Sequence, residues 1–315
     1  AWREWFETRG GMSSTAAEGH RAVRRYMPEM VGVSERLSEV SPDDDTLRDF
    51  LTFWCPPRYL TNCSQAVSRD SNGPFLIRNY DLNPALNELT VLRTAWRGKS
   101  VIGMVDGLSG LSDGINENGL AVSLSFGGRL VVGRGFRAPI IIRYLLEVCT
   151  DIQDAIEALR LIPIHMSYNL TLTDRSGEAV TVFLAPDRPP IFQKQSWATN
   201  HQLGVELEGH GRFSATLERA DLILGAMTGE NPDAETLKQV FLHAPVFATQ
   251  YSRGFGTVFT SLYRPDTSSL ELLFQNGSAG CWSVHDTSQS KISLRFDQHG
   301  SHFSNDSFQE GLRHD

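Results

Sequence analysis

The stretch Asn62-Cys63-Ser64-Gln65-Ala66-Val67, read with Arg78-Asn79-Tyr80-Asp81, decides how this chain folds. Ahead of Cys63, apolar residues recur at helical spacing, first Ala22, Val23, Tyr26 and Met27, then Leu47, Phe50, Leu51 and Trp54. After Cys63 the texture changes to alternation. It turns at Ser71-Asn72-Gly73-Pro74 and alternates again into Arg78-Asn79-Tyr80-Asp81. A cysteine therefore opens a β-hairpin whose return strand carries an arginine and a carboxylate.

Working outward, residues 1–62 read as helical. Ser13-Ser14-Thr15 followed by Glu18 resembles a capped start, Pro28 interrupts, Asp43-Asp44-Asp45 opens a second helix and Pro56-Pro57 ends it. Downstream, strands are expected at 64–68, 75–79, 89–95, 100–105 and 120–126. The turns between them fall at Asn72-Gly73, Arg97-Gly98 and the run from Asp113 to Gly119. Two helices follow, near 137–148 and 151–160. Strands return at Tyr168–Thr173 and Ala179–Leu184, joined by the turn Asp174-Arg175-Ser176-Gly177. Short β segments reach Trp197–His201, helices cover 213–227 and 234–242, and the last strands lie near 256–263, 269–274 and 281–284. Residues 297–315 read as a polar tail. Each strand group is a meander of hairpins with paired helices between groups. The expected fold class is α+β, with mostly antiparallel sheets layered between helices.

Composition narrows the function. The formal charge is -8 and no basic stripe is visible, which excludes a non-specific nucleic-acid binder. No apolar run is long enough for a membrane span, and Ala1-Trp2-Arg3-Glu4-Trp5 is not the apolar core of a signal peptide. The four cysteines, Cys55, Cys63, Cys149 and Cys281, show neither a disulfide framework nor zinc-ligand spacing. Cys149 and Cys281 read as small core residues, and a reducing cytoplasm is the expected location. His299-Gly300-Ser301-His302 sits in the polar tail with no third ligand. Gly133-Arg134-Gly135 and Gly254-Phe255-Gly256 lack a strand–loop–helix context. No metal and no cofactor are expected.

Cys63, Arg78, Asp81, the Asn116-Glu117-Asn118-Gly119-Leu120 stretch, Thr199-Asn200-His201 and the Ser214…Arg219 pair follow one another in an order that resembles the cysteine N-terminal-nucleophile (Ntn) hydrolases. Within them the chain looks most like the acyl-coenzyme A:isopenicillin N (6-aminopenicillanic acid) acyltransferase-like branch, with choloylglycine hydrolases and penicillin V acylases as relatives. The resemblance runs from Cys63 to about residue 285 and rests on order and spacing together. It implies a four-layer αββα sandwich. It also implies a precursor that cuts itself at Asn62–Cys63, leaving residues 1–62 as a helical propeptide or α subunit and 63–315 as the β subunit.

The same resemblance assigns roles. Cys63 would be the nucleophile, its new α-amine serving as base with an ordinary pKa of ~8. Arg78 would favour the thiolate, Asp81 would orient the amine and Asn200 would donate to the oxyanion. Arg219 matches a family arginine near the site, a solvated helical arginine being the alternative. Bile-salt hydrolases carry an Asn, and penicillin V acylases a Tyr, near the strand Ala121–Phe126. This chain has neither, so Ser125 or a backbone N–H is assigned as the second donor. The long leader also suits the acyltransferase-like branch better than bile-salt hydrolysis. Tyr80, Phe126, Trp197 and Phe255 are candidates for an apolar acyl pocket and His201 for its lining, with ordinary core packing as the alternative. Asn116 and its glycines read as turn chemistry.

The expected activity is transfer of an acyl group from an amide or thioester through an S-acyl enzyme to water or an amine. Partners would be a small amide or acyl-CoA-type substrate and the two fragments of one precursor, with self-association left open and neither nucleic acid nor membrane involved. Two other readings stand beside it: an uncut, ligand-binding member of the same fold, and a papain-type enzyme pairing Cys63 with His201 or His165.

Overall fold

In the computed structural model, which describes residues 2–8, 15–40, 43–229 and 232–304, the change of texture at Cys63 is a boundary between helices and sheets. The N-terminal helices are α1 (Trp2–Thr8), α2 (Ala16–Tyr26), α3 (Val31–Glu39) and α4 (Asp45–Leu51). The Thr15 hydroxyl caps α2 by accepting the Glu18 N–H, and the Asp44 carboxylate caps α4 by accepting the Leu47 N–H. Ser13 and Ser14 of the expected capping run lie outside the described residues. Helix α3 was not expected. No side chain caps its start, so the sequence carries no signal for it.

The chain continues through β1 (Asn62–Asp70), β2 (Gly73–Leu82), β3 (Val91–Thr94), β4 (Val101–Asp106), β5 (Gly110–Asn116) and β6 (Ala121–Phe126). Then come α5 (Ala138–Val148), α6 (Ile152–Leu161), β7 (Tyr168–Thr173), β8 (Ala179–Ala185), β9 (Arg188–Gln193) and β10 (Trp197–Ala198). Helices α7 (Glu208–Phe213), α8 (Thr216–Thr228) and α9 (Ala234–Phe241) precede β11 (Gly256–Arg264), β12 (Ser269–Phe274), β13 (Gly277–Ser283), β14 (Ser293–Asp297) and β15 (Gly300–Ser304). One sheet has the order β10-β1-β2-β11-β12-β13 and the other β3-β4-β5-β6-β7-β8-β9, and the strand pairs in both are antiparallel.

The two sheets face each other through β1 and β2 on one side and β6 and β7 on the other. Helices α8 and α9 cover the outer face of the first sheet, where Ala66, Phe75, Ile77 and Leu262 pack on Ile223, Leu237 and Phe241. Helix α5 covers the second sheet through β4, β5 and β6. This is the four-layer α+β sandwich expected from the sequence. The N-terminal helices share the main core: Trp5, Val23, Met27, Phe50 and Trp54 belong to the same buried cluster as Phe136, Ile141 and Tyr168.

Three expectations fail. The Asp113–Gly119 run is not one turn: Gly110–Asn116 is a buried strand, and only the residues after it turn, at Gly119 with φ 89°. Its glycines serve close packing. A Cβ on Gly114 would lie 2.8 Å from Leu146 and 2.9 Å from the Ile102 carbonyl. The stretch from 297 is not a loose tail up to Ser304, because β14 and β15 pair as a hairpin with Ser301 buried; residues 305–315 lie outside the described residues. Cys281 is exposed on the edge strand β13, not part of the core. The strand β9 falls among the short β segments that the sequence places before Trp197 without bounds. Pro189 and Pro190 argue against a strand, but β9 is a sheet edge, where a missing N–H is tolerated.

Candidate active site

Strand β2 sets the geometry. Side chains alternate across a strand, so Arg78 and Tyr80 point between the sheets while Asn79 and Asp81 point toward the helices. Arg78 lies over the Tyr80 ring at 4.2 Å, and Asn79 donates to the Phe241 and Val246 carbonyls below α9. In the β1–β2 ladder Asn62 stands opposite Asp81 and Cys63 opposite Tyr80. Arg78 therefore reaches the Cys63 sulfur from one face of the sheet, while Asp81 lies on the other face against Thr257 and Arg219.

Cys63 is fully buried and each of its polar atoms is engaged. Its Sγ lies 3.4 Å from Arg78 Nη2 and 3.7 Å from the Thr61 hydroxyl. Its N–H donates to Asn200 Oδ1 at 3.2 Å, and its carbonyl accepts from Arg219 Nη1 at 2.8 Å. Arg219, buried on the inner face of α8, also donates to Ser64 Oγ at 2.8 Å, Asn200 Oδ1 at 2.6 Å and the Ser214 carbonyl at 2.7 Å. It lies 3.8 Å from Asp81 Oδ2. The solvated-arginine alternative for this residue is thereby excluded. Asp81 Oδ1 accepts from Thr257 at 2.7 Å.

Burial decides the charge states. It pushes the Cys63 thiol above its ordinary range, reinforced by Asp81, and the opposing pull of Arg78 and Thr61 is outweighed. It lifts Asp81 to about 6 against the pull of Arg219, Thr257 and Arg78. It also lowers Arg219 despite Asp81 and Cys63. Arg78 goes the other way. Burial opposes its charge, but Asp113, Cys63 and Tyr80 hold its proton above the usual range.

The remaining expected residues divide. Asn200 presents its amide oxygen to Cys63, while its Nδ2 donates to the Phe126 carbonyl at 3.1 Å. The Ser125 hydroxyl donates to the Thr199 carbonyl at 2.9 Å, so its hydrogen is spent away from Cys63. His201 Nδ1 is bonded with the Thr216 and Thr199 hydroxyls and His165 Nδ1 with the Gly133 carbonyl, and among the described residues neither bonds to Cys63. Tyr80 and Phe126 are fully buried, whereas Trp197 and Phe255 are partly exposed. Asn116 acts structurally, accepting from Asn118 and Leu120 N–H and donating to the Leu146 and Cys149 carbonyls.

The sequence pattern did not single out Asp113, which it placed in a turn. This carboxylate is fully buried in an ion pair with Arg78. Thr257 and Asp106 were missed as well; Asp106 accepts from Tyr80 at 2.5 Å and from Arg137 at 2.9 Å. Alternation of Leu111, Asp113 and Ile115 was the available signal, masked by the two glycines. Among the described residues no group of three or more His, Cys, Asp or Glu is placed to hold a metal ion, and no helix is long and apolar enough to cross a membrane.

The family of acyl-coenzyme A:6-aminopenicillanic acid acyl-transferases matches residues 68–279, a span that begins just past Cys63 and includes Arg78, Asp81, Asn200 and Arg219. The chain belongs to that family, and so stands among amidohydrolases and acyltransferases of the Ntn type. Among solved structures, a variant of conjugated bile acid hydrolase from Clostridium perfringens is similar over 80% of this chain and 99% of its own, at 10% identity and a TM-score of 0.52. Penicillin V acylase from Agrobacterium tumefaciens is similar over 69% of this chain and 83% of its own, at 13% identity and a TM-score of 0.46. The Caenorhabditis elegans ortholog of N-acylethanolamine-hydrolyzing acid amidase is similar over 64% of this chain and 93% of its own, at 16% identity and a TM-score of 0.43. The first of these likenesses carries the fold. No curated protein matches the sequence.

Proposed function

We propose that this chain is a self-cutting Ntn amidohydrolase or acyltransferase whose nucleophile is Cys63. The observation that carries the reading is the grip on that one residue. Its sulfur, nitrogen and carbonyl oxygen are each held by a different buried side chain: Arg78, Asn200 and Arg219. Holding all three atoms of an ordinary core cysteine would require three buried polar groups for no packing gain.

In the first reaction the Cys63 sulfur attacks the Asn62 carbonyl carbon. The thiol proton passes to the departing Cys63 nitrogen, and a thioester to Asn62 forms. Breaking that C–N bond frees the α-amine of Cys63; water then hydrolyses the thioester, which releases residues 1–62 with a new carboxylate and restores the thiol. In the second reaction the thiol attacks the carbonyl of an amide or thioester donor. The α-amine takes the thiol proton and returns it to the leaving group, which its ordinary pKa of ~8 suits at neutral pH. Asp81 and Asn200 Oδ1 are the acceptors that hold this amine. For Asn200 to donate to an oxyanion, its Nδ2 must exchange the Phe126 carbonyl for the substrate. The acyl group leaves Cys63 to water or to an amine.

The uncut state is latent on this reading, for two reasons. The sulfur is fully buried, and burial keeps it a thiol. The test is mass spectrometry of the cut protein mixed with a panel of amide and acyl-CoA donors, with and without amine acceptors. An acyl adduct on the peptide beginning at Cys63 is expected. Turnover without any adduct there, or turnover that survives Cys63→Ala, removes the proposal.

A further inference from the structure

The cation that reaches the Cys63 sulfur is itself held from the opposite sheet. Arg78 Nη1 donates to Asp113 Oδ1, which also accepts the Ser112 hydroxyl. Asp113 Oδ2 accepts from Ser261 at 2.6 Å and from Tyr263 at 2.8 Å. Arg78 Nη2 is left for Cys63 Sγ at 3.4 Å and the Leu124 carbonyl at 3.2 Å. Arg78, Ser261 and Tyr263 belong to the first sheet and Asp113 and Ser112 to the second, so one carboxylate ties both sheets at the level of the nucleophile. A buried ion pair of this kind is a weak source of stability, because apolar residues of similar volume do as well. Its geometry, however, fixes both the place and the net charge of the guanidinium beside the sulfur.

Resting on the reading of Cys63 as nucleophile, we propose that Asp113 is a positioning residue: it aims Arg78 at the sulfur and cancels part of the charge the sulfur feels. The pair presents a dipole to the thiol where a lone guanidinium would present a full charge. The other charged or titratable groups around the sulfur are Asp81 and Tyr80 from β2, Tyr168 from β7 and Arg219 from α8. Around the carboxylate they are Arg78 from β2 and Tyr263 from β11. None of these others touches both the sulfur's cation and the second sheet. Asp113→Asn removes the charge but keeps an amide oxygen to accept from Arg78 Nη1, so with Leu124 and the Tyr80 ring the guanidinium stays aimed and its full charge acts on the sulfur.

The test is the ultraviolet absorbance of the Cys63 thiolate as a function of pH, taken as the difference from Cys63→Ser. It reads the sulfur whether or not the chain turns over substrate. Asp113→Asn is expected to lower the thiolate midpoint by about one pH unit, roughly tenfold more thiolate at a given pH, the scale on which a neighbouring charge acts. The double variant Arg78→Met with Asp113→Asn is expected to show a midpoint no lower than the parent's, because the effect runs through Arg78. An unmoved or raised midpoint in Asp113→Asn, or a lowered one in the double variant, overturns the role. Should Asp113→Asn not fold, Tyr263→Phe decides. With one donor gone the carboxylate cancels Arg78 more fully and the midpoint rises; a fall or no change contradicts the proposal. Cutting at Asn62–Cys63 is followed by mass in the same samples. A chain never cut sinks the reading of Cys63 and leaves the titration standing, whereas normal cutting with an unmoved midpoint sinks only the role of Asp113.

Discussion

Replacing Asp81 by Asn should stabilise the protein while stopping its chemistry. Asp81 is fully buried, and its carboxyl is raised from 3.8 to about 6. A folded pKa above the unfolded one means that the native state binds more protons between those values. Stability contributed by protonated Asp81 is therefore complete below pH 4 and lost as pH rises through 6. A shift of about two units corresponds to about 3 kcal/mol of strain carried by the ionised form at pH 8. Asn keeps an oxygen to accept the Thr257 hydroxyl and carries no charge. Measured in the uncut Cys63→Ala background, Asp81→Asn should raise unfolding stability by about 3 kcal/mol at pH 8 and by almost nothing at pH 4. With Cys63 restored, Asp81→Asn should abolish both cutting and turnover. The assay is thermal or urea unfolding at the two pH values. A variant no more stable than its background at pH 8, or one whose gain is the same at both, refutes the argument.

Arg219→Leu should do the opposite, destabilising by about 3–5 kcal/mol, because Cys63, Ser64, Asn200 and Ser214 lose a buried donor and Asp81 loses its counter-charge; unfolding at pH 7 reads it. Gly103→Ala should cost about 3 kcal/mol or soluble yield, since its Cβ would run into the Asp113 carbonyl oxygen and lie 2.9 Å from Gly114 Cα, both backbone atoms that cannot give without opening the β4–β5 pair. In the uncut chain a thiol-specific reagent should label Cys281 rapidly and spare Cys55, Cys63 and Cys149, and peptide mapping after cutting should show Cys63 labelled as well.

Much of the layered fold was legible because its signals are local. Alternation, Asn72-Gly73 and the caps at Thr15 and Asp44 each state one element without reference to the rest. Strand β5 and the β14–β15 hairpin were not legible. Their polar residues and glycines look like turns until the partner strand supplies the burial. The positions of Arg78, Asp81, Asn200 and Arg219 around Cys63 followed from their order in the chain and the family it resembles. Asp113 did not, because its charge partner Arg78 is on the other sheet and no spacing in the sequence connects them. The Asn200 amide was expected to point its N–H toward the reaction. It offers its oxygen instead, because the groups facing it are donors, the Cys63 peptide N–H and Arg219 Nη2.

The measurement that bears most directly on the central claim is the intact mass of the purified protein over time, beside Cys63→Ala. The account predicts that a single 35.1 kDa species gives way to two chains, residues 1–62 and 63–315, and that the Cys63→Ala protein stays whole. An active protein that persists as one chain, or a Cys63→Ala protein cut at the same bond, would contradict it.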